Sequence, residues 1–182
     1  MVDAAVEKKT GAEDVLWDLS IFYSGVDDPA IQTDLGKVQA MADEFAAKYR
    51  GKVASLDAEE MVDALHEQEA IQDAVGRIGS FAFLNYATDT ADQRRGALVQ
   101  KITESNSQLM QKLMFFDLEW KDVPDEQAQK LLADPTLGKY RHPLEAERRY
   151  KPYTLSEIEE QILVEKSVTG SSAWSRLFTQ IT

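Results

Sequence analysis

The chain has 182 residues, of which 43% are hydrophobic and 29% are charged, ordinary proportions for a globular protein. Thirty-two acidic residues against twenty basic ones give a net charge of −12, which would repel a phosphate backbone. No apolar run approaches the ~18 residues of a membrane span. We therefore expect neither nucleic acid nor membrane as a partner. The absence of cysteine excludes disulfides and thiolate metal sites and favours a cytoplasmic location.

The N-terminal part is predicted to be a lead into a helical bundle. Residues 1–14 are mostly small and polar, and we expect them to be disordered. The segment VLWDLSIFYSGVDD, residues 15–28, is apolar and ends in turn-forming residues. We expect it to be extended and to pack four side chains onto the helices that follow: Trp17, Leu19, Phe22 and Tyr23.

The first helix has clear start and stop signals. Asp28 can cap the first free N–H groups, and Pro29 suits the first helical position because its missing N–H is not needed there. Gly51 can adopt the left-handed conformation that ends a helix. Between these signals, apolar residues recur every three or four positions. This predicted buried stripe comprises Ile31, Leu35, Val38, Met41, Ala42, Phe45 and Tyr49.

Two long helices are predicted next. Asp57 and Glu60 have the spacing of a capping box, and an apolar stripe continues to about Tyr86: Met61, Ala64, Leu65, Ile71, Val75, Ile78 and Ala82. Thr88-Asp89-Thr90 is predicted to break this helix and cap the third one. The third is predicted to persist to about Leu118, with Ser105 interrupting its stripe of Leu98, Ile102, Leu109, Leu113 and Phe116. Short polar connections between long helices favour antiparallel neighbours.

The last third predicts shorter elements, because four prolines occur between positions 124 and 152. We expect short helices near 124–133 and 137–149. A further helix is predicted from Thr154, capped together with Glu157, to about Val168, with Thr169-Gly170 as its stop. Ser171 or Ser172 is predicted to cap a last helix that carries Ala173, Trp174, Leu177 and Phe178.

These elements predict an all-α fold in which an antiparallel bundle of long helices is followed by shorter helices. No segment alternates convincingly as a strand, and there is no internal repeat. We divide the chain into a lead at residues 1–14, a long-helix bundle at 15–120 and a short-helix region at 121–182.

The most suggestive metal-binding pattern is His66-Glu67. A zinc peptidase helix carries H-E-x-x-H, because residues four apart share a face and two imidazoles can then hold one metal. Here the position four after His66 is Ala70, and the sequence has one other histidine. We therefore favour a solvated polar face of the second helix.

The other histidine, His142, forms an H-x-x-E pair with Glu145. Di-iron carboxylate sites use such pairs, but they need further inward-facing glutamates. The nearby glutamates lie among Arg148, Arg149 and Lys151, which favours ion pairing. We favour His142 as a hydrogen-bonded turn residue. No nucleophile elbow and no phosphate-binding glycine loop occurs, and FFDLEW (115–120) has the spacing of a core or interface segment rather than of a ligand pocket.

Several strings resemble, in order and spacing, the zinc oligopeptidases of the M3 family of the oligoendopeptidase F type. The likeness runs from about Val15 to Phe178 and includes WDLSIFYSGVDDP (17–29), FAAKYRGKV (45–53), YATDT (86–90), FFDLEW (115–120), YRHPLE (140–145), LSEIEEQIL (155–163) and TGSSAWSRLF (169–178). The resemblance implies the N-terminal helical region of such an enzyme, ending before its catalytic domain.

In that family a helical N-terminal region packs over a catalytic domain, and a deep channel between them admits short peptides. The resemblance therefore implies a piece of channel wall whose partners are its own catalytic domain and an oligopeptide substrate. Zinc would belong to the parent metalloendopeptidase. The family's zinc ligands and general base have no matching positions here, so we expect no catalytic, cofactor-binding or metal-binding residue and no activity of this chain alone.

Two alternatives remain at this point. A self-contained acidic helical interaction or scaffold module would show the same bundle periodicity, and continuation of the reading frame into H-E-x-x-H would separate the two. By the resemblance, the catalytic domain would cover Trp174, Leu177 and Phe178, so without it we expect an exposed apolar patch at these residues. Apolar patches of several hundred Å² usually bind a partner. This favours a two-fold homodimer of the chain.

Overall fold

The computed structural model describes residue 11 and residues 18–181, except for the side chain of residue 180. Within these residues every regular element is helical and no strand occurs, which confirms the all-α prediction. Most of the predicted disordered lead at 1–14, and Trp17, lie outside the described residues. Residues 15 and 16 of the lead-in also lie outside the described residues. Its described part, residues 18–28, forms turns rather than an extended strand, because Leu19 accepts backbone hydrogen bonds from Phe22 and Tyr23.

Three of the predicted lead-in contacts are present. Leu19 and Phe22 pack against the core, and Tyr23 is buried. The Tyr23 ring meets Phe81 edge to face at 5.1 Å between ring centroids, and its hydroxyl donates to Asp34 at 3.1 Å. These contacts connect the lead-in to the first helix through Asp34 and to the second helix through Phe81.

Helices α1 (Pro29–Tyr49) and α2 (Ala58–Thr88) follow their sequence signals. Asp28 caps α1 by accepting from the Ala30 amide, and the predicted capping box at the start of α2 is complete. Gly51 has φ of 76°, the left-handed conformation that allows the chain to leave α1. Most of both predicted stripes is buried, and the rest packs partly buried against the core.

The third helix differs from its prediction at both ends. Helix α3 spans Gln93–Leu113, and its cap is Asp92, which accepts from the Arg94 amide. Asp89 instead closes the preceding turn by accepting from the Ala91 amide, so Thr88-Asp89-Thr90 breaks α2 but does not cap α3. The predicted continuation to Leu118 is interrupted at Met114, after which α4 spans Phe115–Asp122.

The short elements lie close to their predicted positions. Helix α5 spans Asp125–Leu132, a 3-10 helix spans Pro135–Tyr140, and α6 spans Arg141–Arg148. A second short 3-10 helix, Lys151–Tyr153, precedes α7. The predicted division at residue 120/121 falls within α4, and it stays a prediction.

Helix α7 spans Glu157–Thr169, and its capping box is Ser156 with Glu159 rather than Thr154 with Glu157. The physical reason is that the Thr154 hydroxyl bonds the Tyr150 carbonyl and so closes the preceding turn. Helix α8 spans Ser171–Ile181. Ser171 and Ser172 therefore lie inside this helix instead of capping it as expected.

The core is built where α1, α2 and α3 pack against one another, with α4 beneath them. Phe45 of α1 lies at its centre and contacts Tyr49, Phe115 and Phe116, at centroid distances of 4.9, 5.9 and 5.5 Å. Trp120 of α4 is equally buried and donates from its indole nitrogen to the Leu144 carbonyl at 2.9 Å. The aromatic segment FFDLEW is thus core, as predicted.

Replacing Phe45 with Ala should lower the free energy of unfolding by ~3–5 kcal/mol, because it removes a fully buried ring and leaves a cavity. The matched control is Phe83→Ala, since Phe83 is 60% exposed and should change stability by ~0.5 kcal/mol or less. Urea unfolding of both variants checks the difference. Equal midpoints for the two variants would contradict the assignment of Phe45 to the core.

Candidate functional site

A groove runs along the seam between α2 and α3. Its central section has a volume of about 400 Å³. It continues into a depression of about 160 Å³ at one end and another of about 180 Å³ at the other. The sections share lining residues, so the three form one surface, which we call the α2–α3 groove. The shared residues are Gln72, Val75 and Asn106 towards the first end and Phe83, Val99 and Thr103 towards the second.

The floor of the central section is apolar and its sides are partly polar. Ile102 is buried at the floor, with Val75 and Val99 half-buried beside it. Gln72 and Asn106 add amide groups from opposite helices. Apolar surface with a few amide groups is typical of sites that bind small molecules or peptides.

Two glycines leave room on the α2 side of the groove. A Cβ atom added at Gly76 or Gly79 would meet nothing within 4 Å, and neither residue has a positive φ. The backbone therefore does not require glycine at these positions. The missing side chains widen the groove, and larger residues would fill it without disturbing the helix.

One end of the groove is acidic. Asp117, in the first turn of α4, lines this end together with Gln68 and Met114. The pKa of the Asp117 carboxyl is raised from its ordinary value of 3.8 to about 6, mainly by burial and also by the nearby Glu147 carboxylate, while Lys121 lowers it. Lys121 is itself engaged, with its ammonium 3.6 Å from Glu147. We call this the acidic end.

The opposite end is basic. Arg176 of α8 lines it and donates to the Gln100 side-chain oxygen at 2.8 Å. Among residues 18–181, no carboxylate lies within ion-pair distance of Arg176. Tyr86 also lines this end, and its buried hydroxyl has no hydrogen-bond partner in the described part of the chain. Gln100 in turn donates to the Glu104 carboxylate at 2.7 Å, so Arg176 is the cation of this end and is connected to a carboxylate only through Gln100.

The His66-Glu67 pair lies away from the groove. His66 is exposed, and its ring is 5.6 Å from that of Tyr140. Glu67 accepts from the Lys48 ammonium at 2.5 Å and from the Tyr49 hydroxyl at 3.0 Å. The predicted solvated face is therefore exposed only in part, at His66, while Glu67 is half-buried and connects α2 to α1.

His142 occupies the first turn of α6 rather than a loop, and it is exposed, as is Glu145. The neighbouring carboxylates do form ion pairs, but with partners distant in sequence. Glu147 pairs with Lys121 at 3.6 Å. Arg50 pairs with Glu157 at 2.8 Å, which connects α1 to α7.

In the part of the chain that the structure describes, no three histidine, aspartate or glutamate side chains lie close enough together to hold a metal ion. The residues present do not fit a zinc site, and the absence of bound zinc stays a prediction for metal analysis. Within the same residues, no helix is long and apolar enough to cross a membrane.

The sequence did not reveal the groove or its two charged ends. Asp117 gave the one usable signal, since it is a carboxylate inside the otherwise aromatic FFDLEW segment. Nothing in the sequence marked Arg176, because its importance depends on where α8 lies against α3.

Comparison with known proteins tests the resemblance noted in the sequence. The family model described as Oligopeptidase F matches residues 119–182 of the chain. The oligopeptidase PepF of Bacillus subtilis (strain 168) is 29% identical over 129 residues, which cover 70% of this chain and 19% of PepF. The chain thus spans less than a quarter of the length of that relative. No solved structure gave a significant match. The two matches confirm the resemblance to the N-terminal region of oligoendopeptidase F-like M3 proteins.

Replacing Asp117 with Asn should raise stability at neutral pH. A carboxyl whose pKa is raised on folding contributes stability at pH values below its unfolded pKa, and that contribution is lost as pH rises through the folded pKa. A shift of about two pKa units corresponds to up to about 3 kcal/mol at pH 7. The advantage of Asp117→Asn should therefore grow between about pH 4 and pH 7.

Urea unfolding at several pH values measures this difference. Asp73→Asn on the exposed face of α2 is the control, since it removes one negative charge without touching the groove. The burial argument would be contradicted if the gain in the free energy of unfolding of Asp117→Asn were largest at pH 4, or if there were no gain at pH 7.

Proposed function

We propose that this chain is the N-terminal lobe of a zinc-dependent oligopeptidase and that the α2–α3 groove forms part of the wall of its peptide channel. The single observation that carries the proposal is the match of residues 119–182 to the Oligopeptidase F family. The groove supports it, because a concave surface with an apolar floor and amide groups suits short, unfolded peptides. As the sequence favours, we place the protein in the cytoplasm.

The role of the chain under this proposal is binding and selection. The apolar floor would accept peptide side chains, and Gln72 and Asn106 would pair with the peptide backbone. A folded protein cannot enter a groove between two helices, so the wall would restrict substrates to short chains. Zinc, held by a separate catalytic domain, would supply the activated water that cleaves the peptide bond.

An acidic scaffold module is the competing function, and the same bundle core would serve it. The two differ in what must accompany the chain. An oligopeptidase lobe requires a catalytic domain with H-E-x-x-H in the same reading frame, whereas a scaffold module does not.

We expect the 182-residue chain to bind no stoichiometric zinc and to hydrolyse no peptide, since its residues offer too few ligands. We expect the product of a reading frame that continues past codon 182 to cleave a quenched fluorescent peptide. Chelation should abolish that cleavage, and added zinc should restore it. Metal analysis and the peptide assay on both proteins measure these outcomes.

Either of two results would contradict the proposal. One is chelator-sensitive cleavage by the 182-residue chain itself. The other is a continuing reading frame without a metal-binding helix, or no continuation at all in the gene. The second result would favour the scaffold function.

We further propose that α7 and α8 contact the catalytic domain in such an enzyme. Helix α7 contains no fully buried residue, and Ile158 on its outer face is 70% exposed. Trp174 of α8 is also 70% exposed. Several other large apolar residues on the two helices are exposed as well: Ile162, Leu163, Leu177, Phe178 and Ile181. An apolar patch that stays exposed when the chain is alone favours association with a partner.

The 182-residue chain should therefore self-associate, most simply as a two-fold dimer that covers these side chains. Light scattering at micromolar concentration should show a dimer, and removal of residues 171–182 should shift it to a monomer. Monomers in both cases would contradict the proposed contact surface.

A further inference from the structure

The two ends of the α2–α3 groove carry opposite charge, and the distance between them defines a length of peptide. The basic end lies at the level of Gln100 on α3, and the acidic end at the level of Leu113 and Met114. A helix rises 1.5 Å per residue, so these levels are roughly 20 Å apart. An extended peptide advances about 3.3 Å per residue, and roughly six residues would span the groove.

The acidic end suits an ammonium group. The Asp117 carboxyl is largely buried, and its one nearby cation, Lys121, is paired with Glu147. The side chains that approach from α2 and α3 are neutral amides and apolar groups, among them Gln68, Gln72 and Asn106. An entering cation would therefore meet a carboxylate that the protein itself leaves poorly compensated.

The basic end suits a carboxylate for the complementary reason. Arg176 donates from one guanidinium nitrogen to the neutral Gln100 amide, which itself bonds Glu104, and in the described residues no carboxylate pairs directly with Arg176. A guanidinium binds a carboxylate through two parallel hydrogen bonds, which makes it well suited to a chain terminus.

We propose that the α2–α3 groove binds an extended peptide of about six residues by both of its free ends, the amino terminus at Asp117 and the carboxylate at Arg176. The inference rests on the proposed function, and it adds the direction and the length of the bound peptide. Charge complementarity at both ends favours a short peptide as the occupant, because one short chain carries an ammonium group and a carboxylate at its two ends. Side chains of the peptide would contact Val75, Val99 and Ile102.

Calorimetric titration of the 182-residue chain with a hexapeptide of alanine, leucine and serine tests the proposal. Acetylating the amino terminus should weaken binding about tenfold, and amidating the carboxylate should do the same, as expected when a charge-assisted contact worth about 1.4 kcal/mol is lost. A three-residue peptide, which cannot reach both ends, should bind as weakly as the hexapeptide with both ends blocked.

Variants separate end recognition from structural damage. Asp117→Asn should bind the free hexapeptide about tenfold more weakly and become indifferent to acetylation while still responding to amidation. Arg176→Gln should show the opposite pattern. Gly79→Leu should fill the groove and abolish binding, whereas Gly36→Leu, on the exposed face of α1, should leave it unchanged.

Several outcomes would overturn the inference. One is that the free hexapeptide does not bind, and another is that the free and blocked hexapeptides bind equally well. A third is that the Asp117→Asn variant loses its response to amidation as fully as its response to acetylation. A dimer that Gly79→Leu dissociates would identify a second copy as the occupant instead. The proposed function has a separate test, because it fails if no zinc-dependent domain accompanies the chain. A protein that cleaves peptides but binds free and end-blocked peptides equally would therefore disprove this inference and leave the proposed function intact.

Discussion

The fold depends on the burial of one short helix, α4, between the three long helices and the short-helix region. Phe115, Phe116 and Trp120 lie on its buried side, each 1% exposed. The two phenylalanines meet Phe45 of α1, and the Trp120 indole bonds the Leu144 carbonyl of α6. A helix of eight residues is too short to be stable alone, so its order comes from these contacts.

Polar groups around α4 complete the connection. Glu119 accepts from the backbone amides of Gly51 and Val53, at 2.7 and 3.3 Å, and so fixes the turn that follows α1. Arg148 of α6 donates to the carbonyls of Trp120 and Val123, at 2.6 and 2.7 Å, at the end of α4. Each of these groups satisfies backbone atoms that a helix end or turn would otherwise leave unpaired. The same eight residues also place Asp117 at the groove.

Local signals explain why much of the fold could be predicted from sequence. The cap at Asp28, the capping box at Asp57 and the left-handed Gly51 act within a few residues, so sequence spacing identified them. The break at Met114 escaped prediction because Met114 keeps helical angles, with φ of −58° and ψ of −23°, and no proline or glycine marks it. At Ser156 two overlapping spacings competed, and a hydrogen bond from Thr154 to Tyr150 decided between them.

The groove could not be predicted, because it depends on distances between helices rather than on periodicity. The sequence stripe correctly placed Ile102 in the core and Val75 beside it, yet the same stripe would describe a tightly closed seam. Gly76 and Gly79 leave space at the seam because they have no side chains, and glycine inside a helix is a weak signal. Gly36 in α1 illustrates this, since it is equally unhindered but borders no groove.

The placement of Arg176 on α8 connects the groove to the exposed face of α7 and α8. A helix of eleven residues is marginal in water, and α8 is held by α7 and by the bond from Arg176 to Gln100. Ordering α8 therefore has an entropic cost that any contact on its outer face would reduce. Under the proposed function, a catalytic domain that covers α7 and α8 would also preorganise the carboxylate-binding end of the groove. Peptide binding and domain contact would then strengthen each other through the order of a single helix, without requiring a change in the rest of the bundle.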